Sequence, residues 1–587
     1  MEQNEDTILK GEEPAVQDQM ISDSDSVRFD DERLMLVEVQ NEPWYVRFKT
    51  YFKLSGPGWL QSALTLGGGS LTSSLYLGVL AGFTMLWLQP VAMVLGIIML
   101  SALGYATLAT DQRPFHAVNE HINPVLGWGW AIGSILASLV WVMPQYALAN
   151  GVIQQNLFPT LLGAGSALGS FGSTLLVSLT ILAVALTIAW NYGGDSKSVN
   201  IFEWILKGLV ALIVLAFVGV VLRIAMTPGS INWGEVLAGF IPNPALALRP
   251  AAGFEPLLAQ LSASSAEYWS NLIVTRQQEV MAAALSSAVG INATFLFAYS
   301  MLRRKWGTEY TGLMRFDLWT GMLIPFMLVT SFIIIAAGNQ FHTVPHPGFL
   351  EDSAAGIQTS EQMTSEYQSL LEGRIIHEFG LENNLTEAQV ASYVSELGQE
   401  DHLMAATLVT RDAFDLASSL EPLLGGTFSH IIFGIGVVGM AISSVILHMV
   451  ICGFVICEIL KVPYNSWYFR AGIMIPVVGV LGPFFWDQAA FWLAIPTSVI
   501  TLMLLPIAYV VFFLMLNNKA IMGKNMPTGR KRIAWNSVMI PVIIIVSLAS
   551  FYMLWQYAGV FGLGILVAFV LAALGFEWRK RTQKATA

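Results

Sequence analysis

The sequence predicts an all-α polytopic membrane protein of about twelve spanning helices, and three observations predict it. The 587 residues are 55% hydrophobic and 12% charged, which leaves too little polar surface to cover a water-soluble globule of this size. Apolar stretches of roughly 20 residues, long enough to cross about 30 Å of hydrocarbon, recur from residue 56 to residue 577. Basic residues gather in alternate connections, as the loops on one side of a membrane require.

Residues 1–45 are polar and acid-rich, with Glu12, Glu13, Asp30, Asp31 and Glu32. That is the reverse of the basic region and short apolar core of a secretory signal, and the segment reads as a disordered cytoplasmic tail. Seven spans follow within 46–338, near 56–82, 86–110, 124–154, 172–192, 201–226, 280–302 and 315–338. Five more occupy 429–578, near 429–459, 469–484, 489–516, 533–556 and 558–577, and a basic tail, 579–587, ends the chain. Orientation follows from the basic residues. Arg47, Lys49 and Lys53 precede the first span, Arg113 follows the second, Lys197 the fourth and Arg303, Arg304 and Lys305 the sixth. Lys461 and Arg470 follow the eighth, Lys519, Lys524 and Arg530–Arg532 the tenth, and Arg579–Arg581 the last. Both termini are therefore expected in the cytoplasm of a cell (plasma or inner) membrane.

Two connections on the other side are longer than a connection needs to be. The first, 227–279, carries Pro228, Pro242, Pro244 and Pro250 and then a polar run. The second, 339–428, is an extracytoplasmic insertion with helix-forming stretches, one opening at Thr386 with Gln389 three residues on, the spacing of a capping box. A small helical cap is the expectation.

Several function classes fall away on composition. The net charge of -11 makes nucleic acid an improbable partner. Cys452 and Cys457 are the only cysteines, five apart in one apolar stretch, and read as small core residues. No Gly-rich phosphate loop, paired catalytic carboxylates or nucleophile triad stands on the cytoplasmic loops, which argues against an enzyme or an ATP-driven pump; no cofactor is expected.

The chemistry is sought where two spans break. The first span carries Gly67-Gly68-Gly69-Ser70 at its middle, between Thr65 and Thr72. Each glycine costs about 1 kcal/mol against Ala in a helix. A break at mid-membrane frees backbone groups that lipid cannot satisfy, so the segment must face protein or a watery cavity. Close packing through small residues explains the glycines equally well. Gly290-Ile291-Asn292-Ala293-Thr294 then interrupts the sixth span. Matching breaks in two halves are the pointer to a five-plus-five inverted repeat with its site at the repeat interface. The substrate-binding candidates are Gly67, Gly69, Ser70, Asn292 and Thr294, flanked by Gln61 and Thr65. His448 is a candidate proton relay, weighed against a hydrogen-bonded core histidine. Glu203 and Lys207 are expected to pair; Gln145 and Asn150 face either a pathway or a neighbour; Met440 reads as packing.

These residues and their order resemble the Nramp (natural resistance-associated macrophage protein) divalent metal ion transporters over most of 45–515. Gly56-Pro57-Gly58-Trp59-Leu60 looks like that family's opening Gly-Pro-Gly-Phe-Leu, and Gly239-Phe240-Ile241-Pro242 like its Gly-Phe-Val-Pro. Arg315-Phe316-Asp317 is similar to its Ala-Arg-Phe-Asp, and Phe341-His342 to the Phe-His that leaves the same span. Phe433-Gly434-Ile435-Gly436 and Ala441-Ile442-Ser443-Ser444 look like its Phe-Gly-Ile-Ala and Gly-Gln-Ser-Ser.

Departures fall at the centre. Where the family has Asp-Pro-Gly-Asn, this chain has Gly67-Gly68-Gly69-Ser70; where it has Met-Pro-His-Asn, the match falls on Ile291-Asn292-Ala293-Thr294. The carboxylate and the soft thioether are gone, so a dry manganese or iron site is not expected. The resemblance implies alternating-access transport of a small cation, with a divalent metal ion first among the candidates, driven by an ion gradient with a proton as coupling partner. The alternatives are another small ion or polar solute, or a non-transporting sensor or scaffold on the same fold.

Overall fold

A computed structural model of the chain describes residues 23–586, apart from 111, 164, 193–200, most of 202–230, 350–360, 380–385, 412–424 and 486–489. No strand occurs among the described residues. Helix α1 (Asp23–Glu38) replaces part of the tail expected to be disordered. It is held because Leu36 is buried and the Arg33 guanidinium pairs with Glu309 at 2.8 Å. An amphipathic helix, α2 (Trp44–Leu54), leads to the first span, which is two helices, α3 (Pro57–Thr65) and α4 (Gly68–Ala81), bent by 54°.

Three uninterrupted spans follow: α5 (Leu88–Thr110), α6 (Pro124–Val152) and α7 (Gly169–Tyr192). The fifth expected span falls mostly on residues outside those described, and Glu203 and Lys207 are among them. The sixth span is α8 (Ala263–Ala288) and α9 (Ala293–Arg303), and the seventh is α10 (Thr311–Asp317) and α11 (Ile324–Phe341), joined by a π-turn. The insertion supplies α12 (Glu361–Phe379), α13 (Glu387–Ser395) and α14 (Gln399–Leu408). The Thr386–Gln389 capping box forms as its spacing predicts. Then come α15 (Gly426–Leu460), α16 (Trp467–Ile473), α17 (Ala490–Leu516) and α18 (Gly529–Thr586).

Nine helices among the described residues are long and apolar enough to cross a membrane, ten with the bent pair α3–α4 counted as one span. Helix α18, with 58 residues, would measure about 87 Å if straight. Gly559 interrupts it with φ 48° and ψ -137°, a left-handed conformation open to glycine, so it supplies both of the last two expected spans. Its faces carry exposed Ile544, Leu548, Phe551 and Leu571, the surface that lipid covers.

The sixth span begins well before residue 280, inside what the sequence presents as a loop. Its outer half is polar, and the polar groups on its buried face find protein partners. Gln277 accepts from the Ala251 amide at 2.9 Å and donates to the carbonyl oxygens of Leu246 and Arg249. A reading of hydropathy sees only the half that faces an apolar surround.

The basic loops converge on one end of the bundle. Arg33, Lys305 and Lys524 border a single recess, and the Lys580 ammonium reaches the Glu120 and His121 carbonyl oxygens at 3.4 Å. Helix α1 and the end of α18 therefore share a side, as an even number of spans requires.

Candidate ion site at the two helix breaks

At the first break α3 stops at Thr65, Leu66 leaves the helical region (φ -80°, ψ 56°), Gly67 is extended, and α4 starts at Gly68. The glycines are there for more than the break. A Cβ at Gly69 would lie 1.9 Å from the Trp141 ring, and one at Gly68 would lie 2.8 Å from Gln145 Oε1. Only a backbone without side chains lets the first turn of α4 lie against α6. The two readings of the glycine run, a broken helix and close packing, are thus one arrangement. The freed Gly68 amide donates to Gln145 Oε1 at 2.9 Å, and the Ser70 hydroxyl donates to the Gly67 carbonyl oxygen at 3.0 Å.

At the second break Val289 is extended (φ -149°, ψ 104°) and α9 restarts at Ala293. Asn292 accepts from the Ala293 amide at 3.1 Å and donates to the Ser138 hydroxyl at 3.2 Å. One side chain ties the two breaks together. Gln61 on α3 donates from Nε2 to the Ala293 carbonyl oxygen at 3.0 Å, while its Oε1 is buried with no hydrogen-bond partner.

Between the breaks lies a cavity of about 30 Å³, bordered by Thr65, Gly67, Gly69, Ser70 and Asn292. A water needs roughly 10–15 Å³ by the same measure, so the space admits about two. Gln61 sits just behind this wall. Thr294 does not reach it: its hydroxyl donates to the Ile291 carbonyl oxygen and accepts from Trp130 Nε1 at 2.7 Å, both within the core. The remaining wall comes from residues that sequence reasoning left undecided or passed over: Gln145 and Trp141 on α6, Ser286 and Ser287 on α8, and Ser444 on α15. Gln145 faces the cavity, whereas Asn150 turns to a neighbour, donating to the Tyr146 carbonyl oxygen and the Ser178 hydroxyl. Ser444 had a signal, since it closes a motif in the eighth span; Trp141 had none.

His448 also borders the cavity. Its Nδ1 lies 2.6 Å from the Ser444 carbonyl oxygen, which can only accept, so that nitrogen carries the hydrogen and Nε2 keeps its lone pair. Met440 is packed in the core. Among the described residues no three of His, Cys, Asp and Glu stand close enough to hold a metal ion. The polar groups of the wall are hydroxyl, amide, imidazole and backbone, beside the Trp141 ring and Leu64, with no fixed charge.

Charged groups lie beyond the breaks, toward the basic end. Asp317 on α10, fully buried, accepts from the Gly56 and Gly58 amides at 3.1 and 2.7 Å and so caps α3. Glu458, at the end of α15, pairs with Arg113 at 3.2 Å and accepts from the Tyr464 hydroxyl at 2.7 Å. His116 stands 3.7 Å from the same carboxylate. Burial, then the charges of Lys461 and Arg113, hold the imidazole below its ordinary range.

The model of the family described as natural resistance-associated macrophage protein-like matches residues 58–372 and 401–556. The chain belongs to the Nramp family. Its resemblance to that family, carried by short motifs, is thereby established over most of the chain. Among solved structures this Nramp protein is similar to the Eremococcus coleocola manganese transporter in complex with an aromatic bis-isothiourea substituted compound. The TM-score is 0.57 and identity 15%, covering 92% of this chain and 96% of that one. Two crystal structures of single-residue mutants of the same transporter match at TM-scores of 0.55 and 0.56 and 16% identity, each over 91% of this chain and 96% of theirs. No curated relative matches the chain. The fold is the five-plus-five inverted repeat with broken first and sixth spans, and the protein is a multi-pass membrane transporter of the divalent metal ion class.

Proposed function

We propose that this Nramp protein carries a small divalent cation that keeps part of its water shell, held between the two breaks by neutral oxygens and exchanged for a proton on His448. The observation that carries the proposal is a mid-span cavity walled by Ser70, Asn292, Gln145, Ser444 and glycine backbone, with no carboxylate, thioether or thiolate. A bare divalent ion held this way costs several kcal/mol for each unneutralised charge. Retained water lowers that cost, and the space suits an ion with one or two waters. Gln145 supports the same reading. Its Oε1 is taken by the Gly68 amide, so the Nε2 hydrogens, which have no protein partner, face any cargo and call for a water between themselves and a cation.

Hard ions that shed water reluctantly, magnesium above all, fit such a wall; softer transition metals favour sulfur and nitrogen. Protonation of the open Nε2 of His448 places a positive charge beside the cation, so the two compete for the cavity. We further propose that the basic end is cytoplasmic and that the insertion faces outward, on the strength of the basic loops that converge there.

Uptake into proteoliposomes of magnesium against manganese, read by an internal indicator, tests the reading, with Gly67→Asp alongside. Magnesium uptake above empty vesicles and preferred over manganese is the expected result. Uptake of manganese by the variant alone would assign the natural cargo to another ion, and silence from both proteins would favour a sensor or scaffold.

A further inference from the structure

We infer that α2 is an anionic-lipid-binding helix that lies in the membrane surface and steadies the base of α3. At about 100° per residue, Trp44, Tyr45, Phe48 and Phe52 fall within one arc of about 100° along the helix. All four are exposed, from 48% for Phe48 to 73% for Trp44. Four large aromatics facing water is not a stable surface for a short helix. A bilayer boundary resolves it, because aromatic rings settle at the level of the headgroups.

The position of α2 fixes that boundary. Pro57, the first residue of the first span, comes three residues after Leu54, where α2 ends. The helix therefore sits where hydrocarbon gives way to headgroups.

Its charges select the lipid. Lys49 and Lys53 flank the aromatic arc and Arg47 lies on the opposite flank, all three exposed. Among the described residues no carboxylate pairs with any of them; the contact made is Lys53 Nζ to Met35 Sδ at 3.9 Å. Three uncompensated cations beside an aromatic stripe complement the phosphate of an anionic phospholipid.

The covered sides of Phe48 and Phe52, with Tyr51, link that lipid to the first break. Phe48 and Tyr51 meet the Phe316 ring edge-on at 5.3 and 5.5 Å, and Phe52 meets Trp59 on α3 at 6.2 Å. Phe316 is the neighbour of Asp317, which caps α3. Lipid bound at α2 thus restrains the half-helix that ends at the cavity.

The full-length protein in detergent is titrated with phosphatidylglycerol or phosphatidylcholine while its thermal unfolding is followed. In parallel, a spin label on Phe48→Cys is read in vesicles of each lipid. Both natural cysteines are buried, so the label reports on position 48. Phosphatidylglycerol is expected to raise the unfolding temperature more than phosphatidylcholine does. The Arg47→Gln, Lys49→Gln, Lys53→Gln triple variant is expected to weaken that preference on the order of a hundredfold, about fivefold for each basic residue. In phosphatidylglycerol vesicles the label should collide more with oxygen than with a water-soluble nickel reagent. A triple variant that keeps the full preference, or a label that stays in water in both vesicles, overturns the inference; the second readout holds even if the triple variant fails to fold.

Discussion

A Cβ added at Gly67 would come 3.0 Å from the Ser444 hydroxyl and 3.2 Å from the Leu64 carbonyl oxygen, contacts that shifts of a few tenths of an ångström relieve, whereas one at Gly69 would enter the Trp141 ring. Gly69→Ala should therefore lose about 1–3 kcal/mol of stability through overpacking, and Gly67→Ala should lose less. Thermal unfolding in detergent checks both; equal losses would mean that the glycines matter for their backbone freedom alone. The sequence announces a break here but not this asymmetry, because Trp141 is distant in the chain and carries no periodicity that points to Gly69. Thr294 is the opposite case. Its hydroxyl looked available, and the Trp130 indole and the Ile291 carbonyl oxygen take it. His116 gives a pH dependence at the same scale. Its folded pKa lies below the ordinary 6.5, so the unfolded chain binds a proton more readily, and the contribution of this group to stability is constant above about pH 7 and falls as the pH drops below about 6.5. The difference in unfolding temperature between wild type and His116→Gln should shrink or reverse between pH 7.5 and 5.5; a constant difference would show that the imidazole does not titrate in this window.

Helix α3 is short and isolated by its break, and it is held to the rest of the protein by its almost complete burial and by a few polar contacts. Chief among them is Asp317, whose Oδ2 receives both the Gly56 and the Gly58 amide. Hydrogen bonds to a buried charge are each worth about 1.5–3 kcal/mol. Asp317→Asn keeps an acceptor and should cost about half as much as Asp317→Ala, which orphans both donors; thermal unfolding of the two variants decides it. Equal costs would place the importance of Asp317 in its charge. Gly58 belongs to the same joint, since a Cβ there would press to 2.4 Å on the Asp317 carbonyl oxygen. The motifs Gly56-Pro57-Gly58 and Arg315-Phe316-Asp317 are visible in the sequence as family likeness, yet nothing in either says that one caps the other. Spans of uniform hydropathy, such as α5 and α7, were legible almost to the residue. The start of α8 was not, because Ser265, Trp269, Arg276 and Gln277 make a polar run that only neighbouring protein, absent from a one-dimensional reading, can satisfy.

At the scale of the molecule the insertion is docked chiefly on α8. Arg374 on α12 donates to the Ser265 hydroxyl at 2.9 Å, and Asp401 on α14 accepts from that hydroxyl at 3.1 Å and from Trp269 Nε1 at 2.6 Å. Arg276 pairs with Glu366 at 3.0 Å and donates to the Leu408 carbonyl oxygen, and Tyr268 donates to that of Leu370. All four anchors stand on α8, the half of the sixth span that lies beyond the break. The cap is thus fastened mainly to α8, with Arg411 adding a contact to the Tyr76 hydroxyl on α4 and one to the Phe341 ring on α11. Asp401 is nearly buried, and removing its carboxylate orphans the Ser265 and Trp269 donors at about 1–3 kcal/mol each, while Arg374 keeps its pair with Glu378 at 2.7 Å. In Asp401→Ala, amide hydrogen exchange across α12 and α14 should accelerate about a hundredfold or more, while α15 and α17 keep their protection. Exchange that rises equally in all four helices would instead make the cap part of the folding core, since a cap that only rests on the bundle can open without unfolding it.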